Sequence, residues 1–471
     1  MSKPTITLCM IARDEEAMLG ACLASARAGV TDMVVVDTGS RDRTKQVAAD
    51  AGARVFDFAW CDDFAAARNE ALRHARGAWV LILDADERLA PGCAVRLPGA
   101  VAGARFDCGM LRLHDAARID SSLEDVVSGR ERAAEAQLVP RLLRRTDGLL
   151  YVDAIHENVM PWLRRRGMKV GGVDVDIVHL GATAEVVGAK AKIGRNVRLL
   201  KARVERDPGD LAACGYLAHD FMRAGAVEEA FSLVERAWPY VSRGQDAKGK
   251  APIHRLATVR AFLLIQRGRF HEARATVGVA KELEGNSPDL AFLSARSSES
   301  EAQLAADPSE RRDRLLAARG GYEECLGFGD RIFAQSFVLG ASSWYGAIRL
   351  GTVELLLDRP AEALRAFDAA LRMRSGEREA RLGRAEAQIQ LGEAAVALQG
   401  IEGLLDDSSP DSWALAASAV SVLRLLDDAR LFSTRAVALA DKSFIAPHRR
   451  ARLRELIASL RDRETETMSQ G

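Results

Sequence analysis

The sequence predicts an α/β domain, Rossmann-like with a mostly parallel sheet, followed by an all-α domain of paired helices. Three observations predict it. Short apolar runs alternate with amphipathic stretches through about residue 180. Strand signal nearly vanishes after about Val186, where Ala, Leu, Arg and Glu dominate. Small residues then recur at offsets of 12 and 7, the spacing at which two antiparallel helices pack closely.

Each element follows in order. Residues 5–12, TITLCMIA, read as a buried strand. Residues 15–27 read as a helix, with Leu19, Cys22, Leu23 and Ala26 at helical spacing. A second strand over 32–38 leads to a helix over 41–52 that Gly52 can cap. A third strand covers 53–58, a helix stopped by Gly77 covers 64–77, and a fourth strand covers 78–86. Such alternation implies a parallel, doubly wound sheet. In these sheets ligands bind at the carboxyl ends of the strands, where Asp37, Asp84 and Asp86 fall. Later strands precede His156-Glu157 and cover 173–182.

In the second half the small residues are Ala218, Ala230 and Ala237, then Ala261, Ala273 and Ala280, then Gly351, Ala363 and Ala370 with Phe367. The pattern resembles the tetratricopeptide repeat. Residues 381–401, with Gly383 and Ala395, read as a degenerate further copy. The stretch 294–314 is polar enough to read as a mobile connection. The expected boundaries are 1–185 for the α/β domain, 186–205 for a linker helix, 206–460 for the repeats and 461–471 for a disordered tail.

Composition narrows the function classes. A chain of 471 residues exceeds one typical core. Hydrophobic residues at 48% and charged residues at 28% fit a globular protein. The 66 basic and 66 acidic residues cancel, which gives no global bias toward nucleic acid. No apolar run approaches the roughly 20 residues that span a bilayer. Arg13 and Asp14 cut the N-terminal apolar run, and no cleavage pattern follows. Seven cysteines without a CxxC pair argue against a zinc module or a disulfide framework and fit a reducing cytoplasm.

The phosphate-binding signatures GxGxxG and GxxxxGK[ST] are absent, and the first strand is followed by ARDEE rather than a Gly-rich loop. Acidic residues stand at the strand ends instead. Asp37 can accept hydrogen bonds from a nucleobase or ribose, or cap the next helix, although Thr38 or Ser40 can do that. Arg68 can contact a base or diphosphate, or pair with Asp62 or Asp63. Asp84 and Asp86, two apart in an extended segment, share a face. Two hard oxygen ligands suit Mg²⁺ or Mn²⁺, with diphosphate oxygens and water completing the shell. Taken alone, DAD reads more often as a surface turn.

In their order and spacing, LCMIARDEE, DMVVVDTGSRDRT, WCDDFAAARNEAL and GAWVLILDADERL resemble the N-terminal half of family 2 glycosyltransferases with the GT-A fold. The similarity is greatest to the branch with C-terminal tetratricopeptide repeats. That branch includes the peptide S-glycosyltransferases of glycosylated bacteriocins and is related to lipopolysaccharide core glucosyltransferases. The resemblance is dense over 5–90 and looser over 135–182. It implies donor-nucleotide contacts from Ala12, Arg13, Glu15, Asp37, Arg68, Asp84 and Ala85, and a metal held by Asp84 and Asp86 with His179 completing the shell.

Inverting enzymes of this fold need a carboxylate beside the acceptor. Glu157 is the first candidate, with His156 or an acidic residue near Asp153 as competitors. Arg141, Arg144 and Arg145 either hold the diphosphate or solvate a strand edge. Trp60 and Phe64 read as core anchors, and Glu87 as a supporting partner of the acidic pair or a helix start.

The expected activity is inverting transfer, dependent on Mn²⁺ or Mg²⁺, from a nucleoside diphosphate sugar (a UDP-sugar first) to a Cys, Ser or Thr of a peptide or protein. The repeats would bind the acceptor or pair two copies into a homodimer. Nucleic acid and stable membrane insertion are not expected. One alternative is a lipopolysaccharide core or other glycan acceptor, with WLRRRGMK (162–169) as its membrane-facing candidate. The other is a non-catalytic repeat scaffold with a vestigial sugar-nucleotide domain.

Overall fold

A computed structural model of the chain describes residues 4–133, 136–181, 183, 189–242, 253–329, 337–406 and 409–469. The strands are β1 (Ile6–Ala12), β2 (Asp32–Asp37), β3 (Arg54–Asp57), β4 (Trp79–Ile82), β5 (Glu87–Leu89), β6 (Cys108–Asp115), β7 (Gln137–Arg144) and β8 (Val170–His179). They form one sheet in the order β3-β2-β1-β4-β7-β6-β8-β5. The half built from β3, β2, β1 and β4 is parallel, as the alternation predicts. The sheet as a whole is more mixed than expected, because β4–β7, β6–β7 and β5–β8 pair antiparallel.

Helices cover both faces. On one, Ile6, Leu8 and Met10 of β1 pack with α1 (Leu19–Ala26), α2 (Thr44–Asp50) and α4 (Cys93–Ala102). On the other, Cys9 packs with α3 (Phe64–His74) and α6 (Met160–Arg165); α5 (Leu123–Ser128) contributes to a smaller cluster with Val178. Each fully buried Leu or Ile contributes roughly 1.5–3 kcal/mol. Trp162 and Leu163 are buried in this second core, so WLRRRGMK presents no apolar surface from those two residues.

The fourth strand ends earlier than its apolar run suggests. β4 stops at Ile82, and Glu87 N donates to Asp84 O at 3.0 Å, so residues 84–87 form a turn. Asp84 and Asp86 therefore do not share the face of an extended strand. A similar shift delays α1 to Leu19, because residues 14–16 instead bind the loop after β2: Ser40 Oγ, Thr44 Oγ1 and Asp42 Oδ2 accept from the amides of Asp14, Glu15 and Glu16.

The remaining elements are α7 (Ala189–Arg206), α8 (Leu211–Arg223), α9 (Val227–Ser242), α10 (His254–Gln266), α11 (Phe270–Glu284), α12 (Pro288–Leu304), α13 (Pro308–Leu326), α14 (Trp344–Leu356), α15 (Pro360–Met373), α16 (Arg378–Gln390), α17 (Ala394–Ile401), α18 (Pro410–Val422), α19 (Leu426–Ala440) and α20 (Pro447–Ser469). The predicted small residues are buried, including Ala218, Ala230, Ala237, Ala261, Ala273 and Ala280. The Phe367 ring lies where a Cβ on Gly351 or Gly383 would approach within 2.8 or 2.2 Å. In α17 of the degenerate copy Ala394, Ala397 and Ile401 are buried, and the expected Ala395 is exposed.

The polar stretch 294–314 is helical except for residues 305–307 between α12 and α13, and so is not a long loose connection. Its polarity is internal: Glu299 is fully buried and accepts from Tyr322 Oη at 2.6 Å and from Arg349. α20 runs to Ser469, into the span expected to be a tail, and residues 470–471 lie outside those described.

The chain divides into two compact units, Met1–Leu263 with Asp330–Leu339, and Leu264–Gly329 with Gly340–Gly471. The first thus carries the sheet together with the first helices of the all-α half. All seven cysteines are free, and six of them are buried. Among the described residues no helix is long and apolar enough to cross a membrane.

Candidate active site

The carboxyl ends of β1 and β4 open into a cleft of about 360 Å³. Ala12, Arg13, Glu15, Arg68, Asp84, Ala85, Asp86, His156, Glu157 and His179 all line it. Asp37 lies just behind the wall, 1% exposed, while its neighbour Thr38 lines the cleft. Asp37 Oδ1 accepts from the amides of Gly39 and Ser40, both at 2.9 Å, and so shapes the turn rather than capping α2. Its Oδ2 is buried without a hydrogen-bond partner.

Arg68 is brought up from α3, whose start is capped by Asp63 Oδ1 accepting from Ala66 N at 2.9 Å. It pairs with neither Asp62 nor Asp63. Asp62 instead takes both terminal nitrogens of Arg198, at 2.8 Å each. Arg68 Nη2 donates to Asp84 Oδ1, its Nε donates to Glu157 Oε1 at 3.1 Å, and its Nη1 is buried without a partner. Arg141 of β7 donates Nη2 to Asp84 Oδ2 at 3.1 Å and to Glu87 Oε1.

Both oxygens of Asp84 are thus held by arginines. Burial opposes its charge, but Arg68 and Arg141 keep its carboxyl well below the usual carboxylate range. Glu87, 2% exposed beneath them, goes the other way: burial and the Asp84 charge raise it to about 7 against the pull of Arg141. Glu87 Oε2 accepts from Asp84 N at 2.9 Å and so fixes the turn.

Asp86 faces the far side of the turn. Its Oδ2 lies 3.6 Å from His179 Nε2, and His179 Nδ1 donates to Asp115 Oδ1 at 2.7 Å. Sheet register makes this arrangement, because His179 of β8 stands opposite Glu87 of β5 and Asp115 of β6. Burial would lower the His179 pKa, but Asp115 and Asp86 hold it up at about 10. A Cβ on Gly181 would sit 1.9 Å from Asp86 Oδ2, so the backbone there leaves room only for glycine against this pair.

A metal fits this pair. A separation of 3.6 Å is within the reach of two atoms each about 2.1 Å from one ion. Asp115 also fixes the imidazole with Nε2 forward, the usual carboxylate–histidine support of a metal ligand. Among the described residues no three or more His, Cys, Asp or Glu side chains are grouped to hold an ion.

His156 has φ +53° and stacks on Tyr216 of α8, with ring centroids 3.8 Å apart. Burial, followed by Arg255 and Arg203, lowers its pKa to about 4, so the ring is neutral near pH 7.

Several lining residues are not those the sequence singled out. Trp60 and Phe64 line the cleft, packed edge to face at 4.7 Å, where core anchors were expected. Arg195 and Asn196 reach it from α7, and the Arg195 guanidinium sits 4.9 Å over the Phe64 ring. Nothing in the sequence marks these two. Asp115 was also missed, although it ends a strand as Asp37 does. Of the three neighbouring arginines only Arg141 joins the site. Arg144 binds Asp107 at 2.9 Å and Arg145 binds Gly77 O at 2.7 Å, both away from the acidic turn.

Residues 7–107 match the family model described as Glycosyl transferase family 2. A TPR repeat-containing protein of Synechococcus elongatus is 54% identical over 84 residues, 18% of this chain and 21% of that protein. The chain thus spans about a fifth of the length of this curated relative. Glucosyl-3-phosphoglycerate synthase from Mycobacterium tuberculosis, solved with Mn²⁺ and uridine diphosphate, is 17% identical over 41% of this chain and 78% of its own, with a TM-score of 0.29. A tetratricopeptide repeat protein from Parabacteroides merdae is 15% identical over 57% and 93%, with a TM-score of 0.38. Scores this low assign no function. The N-terminal family match and the mixed sheet followed by paired helices give the architecture expected of a GT-A domain joined to tetratricopeptide-like repeats.

Proposed function

We propose that the cleft binds a nucleoside diphosphate sugar, a UDP-sugar first, and that the protein transfers the sugar with inversion to a Cys, Ser or Thr side chain of a peptide or protein. The observation that carries this reading is the convergence of five separate chain segments (12–15, 68, 84–86, 156–157 and 179) on one cleft, within a chain whose residues 7–107 match family 2. Arg68 Nη1, a buried donor without a partner on a residue that lines the cleft, supplies hydrogen-bonding capacity that a donor nucleotide would satisfy.

Asp86 and His179 would hold Mn²⁺ or Mg²⁺, which when bound neutralises charge on a departing diphosphate. Asp84, fixed by Arg68 and Arg141, shapes the turn and offers its outer edge to the donor. Glu157, oriented by Arg68 Nε, takes the proton of the acceptor as the nucleophile attacks the anomeric carbon opposite the leaving diphosphate. Stacked helix pairs form surfaces suited to extended peptide, which favours a peptide or protein acceptor over a glycan.

The test is UDP-glucose hydrolysis and UDP binding with and without Mn²⁺, in wild type and Asp86→Ala. Wild type should bind UDP more tightly with Mn²⁺, and Asp86→Ala should lose that gain and about 10²–10³-fold in turnover. Wild type that binds no nucleoside diphosphate under either condition would remove this reading.

A further inference from the structure

The loop that carries Glu157 is not held by the sheet alone. Val152 and Asn158 exchange backbone hydrogen bonds of 3.1 and 2.9 Å and close residues 153–157 into a small loop. From the sheet side, Asn69 of α3 donates to Tyr151 O at 3.0 Å and accepts from Tyr151 N at 2.8 Å. Phe64 N donates to Ala154 O at 2.8 Å.

The opposite side is held by α7 and α8. Arg203 uses all three guanidinium nitrogens: Nη2 pairs with Asp153 Oδ1 at 3.1 Å, Nη1 donates to Ile155 O at 3.4 Å, and Nε donates to Asp210 Oδ2 at 2.6 Å. Tyr216 covers the His156 ring at 3.8 Å with 14° between the planes. These contacts fall where the loop backbone is most constrained. Asp153 has φ +77° and His156 has φ +53°, left-handed values that non-glycine residues keep only where surroundings over-determine them. One of the two is gripped by Arg203 and the other is covered by Tyr216.

We infer that α7 and α8 act as a positioning element of the transfer reaction, with Arg203 and Tyr216 setting the loop 153–157 and, through it, the carboxylate of Glu157. The inference rests on the reading of Glu157 as the acceptor base. The carboxylate is anchored at its head by Arg68, and residues 153, 155 and 156 just before it are held by the helices, so its aim depends on both. A displacement of about 1 Å at such a group costs on the order of 100-fold in rate. A ligand that shifts α7 or α8 would then change turnover without entering the cleft.

The test uses the full chain with Arg203→Ala, Tyr216→Ala and Tyr216→Phe. Three quantities are measured: amide hydrogen exchange over 152–158, UDP affinity with Mn²⁺, and UDP-glucose turnover. Both alanine variants should exchange faster in the loop and lose about 10- to 100-fold in kcat, with UDP affinity within about twofold of wild type. Tyr216→Phe, which keeps the ring, should restore both loop protection and kcat. Unchanged exchange with unchanged kcat overturns the inference, as does a loss of UDP affinity in step with kcat. A fully active Glu157→Gln variant would instead remove the base reading. Loop exchange then decides the clamp alone: faster exchange in Arg203→Ala supports it, and unchanged exchange overturns it.

Discussion

Two buried ion networks in this molecule use the same side chains and end differently. In the unit that carries the sheet, Arg68 and Arg141 grip Asp84, Glu87 and Glu157, yet Arg68 Nη1 and Arg141 Nε are left without partners. In the helical unit, Arg449 gives Nε to Glu386 at 2.8 Å, Nη2 to Glu379 at 3.1 Å and Nη1 to Asp411 at 3.4 Å. The first network borders a cleft of about 360 Å³, and the second a void of about 80 Å³. Burying a charge costs several kcal/mol unless partners compensate. The second network spends every nitrogen of its arginine on doing so. The first keeps donors in reserve beside a space large enough for a ligand, whereas the atom without a hydrogen bond in the second is an acceptor, Glu386 Oε1, which Arg452 Nη1 approaches at 3.2 Å.

Paired substitutions test this contrast most strongly. Arg68→Ala should cut UDP-glucose turnover by about 10²–10³-fold while costing about 1–3 kcal/mol of stability. Arg449→Ala should cost about 3–5 kcal/mol, because it strands buried carboxylates, and leave kcat per folded molecule unchanged. Urea melts read alongside turnover separate the two. The contrast fails if Arg68→Ala keeps its turnover and unfolds as readily as Arg449→Ala.

The same contrast explains what could be read from the sequence. Strands and their ends were legible because apolar runs of 4–8 residues bounded by polar turns carry their own signal. Hence Asp37, Asp84, Asp86 and His179 could be placed near one another. How the carboxylates face was not legible. β4 ends at Ile82, so the acidic pair falls in a turn and not on the strand, and the direction of Asp84 is set by Arg68 and by Arg141, 57 residues away on an antiparallel return strand. Asp115 reaches His179 through a register 64 residues apart. Arg195 and Asn196 come from a helix that local pattern reads only as a linker. In the helical unit the miss was of the same kind, since Glu299 looks like a solvated charge until Arg349, 50 residues later, neutralises it.

A smaller effect should separate the support of the metal pair from the pair itself. Asp115→Asn keeps the shape but weakens the hold on His179 Nδ1. Support of this kind is worth about 10–100-fold in metal affinity. Mn²⁺ titration of UDP binding should weaken by that factor, with UDP affinity in the absence of metal unchanged. Arg449→Ala should not move the Mn²⁺ titration. If Asp115→Asn leaves the titration in place, the carboxylate serves only to neutralise His179.

The smallest effect is on acid stability, and it gives the two units different windows. His156 and His219 both have pKa values lowered to about 4 by burial and then by Arg255, against 6.5 for a free imidazole. Between pH 4 and 6.5 the unfolded chain binds protons that the folded chain refuses, so stability rises with pH there and is lost as pH falls toward 4. Glu386 is lowered to about 2: burial opposes its charge, but Arg449 and then His448 outweigh it. Its contribution is complete above pH 4.5 and fades only as pH falls toward 2. Acidification should therefore loosen the sheet-bearing unit before the Glu386 clamp of the helical unit. Hydrogen exchange at pH 7, 5 and 4 should show loop 152–158 opening while α16 stays protected. His156→Gln should flatten the pH dependence of the loop and leave that of α16 unchanged. Parallel loss of protection in both regions between pH 6.5 and 4.5 would show that neither group sets the acid response.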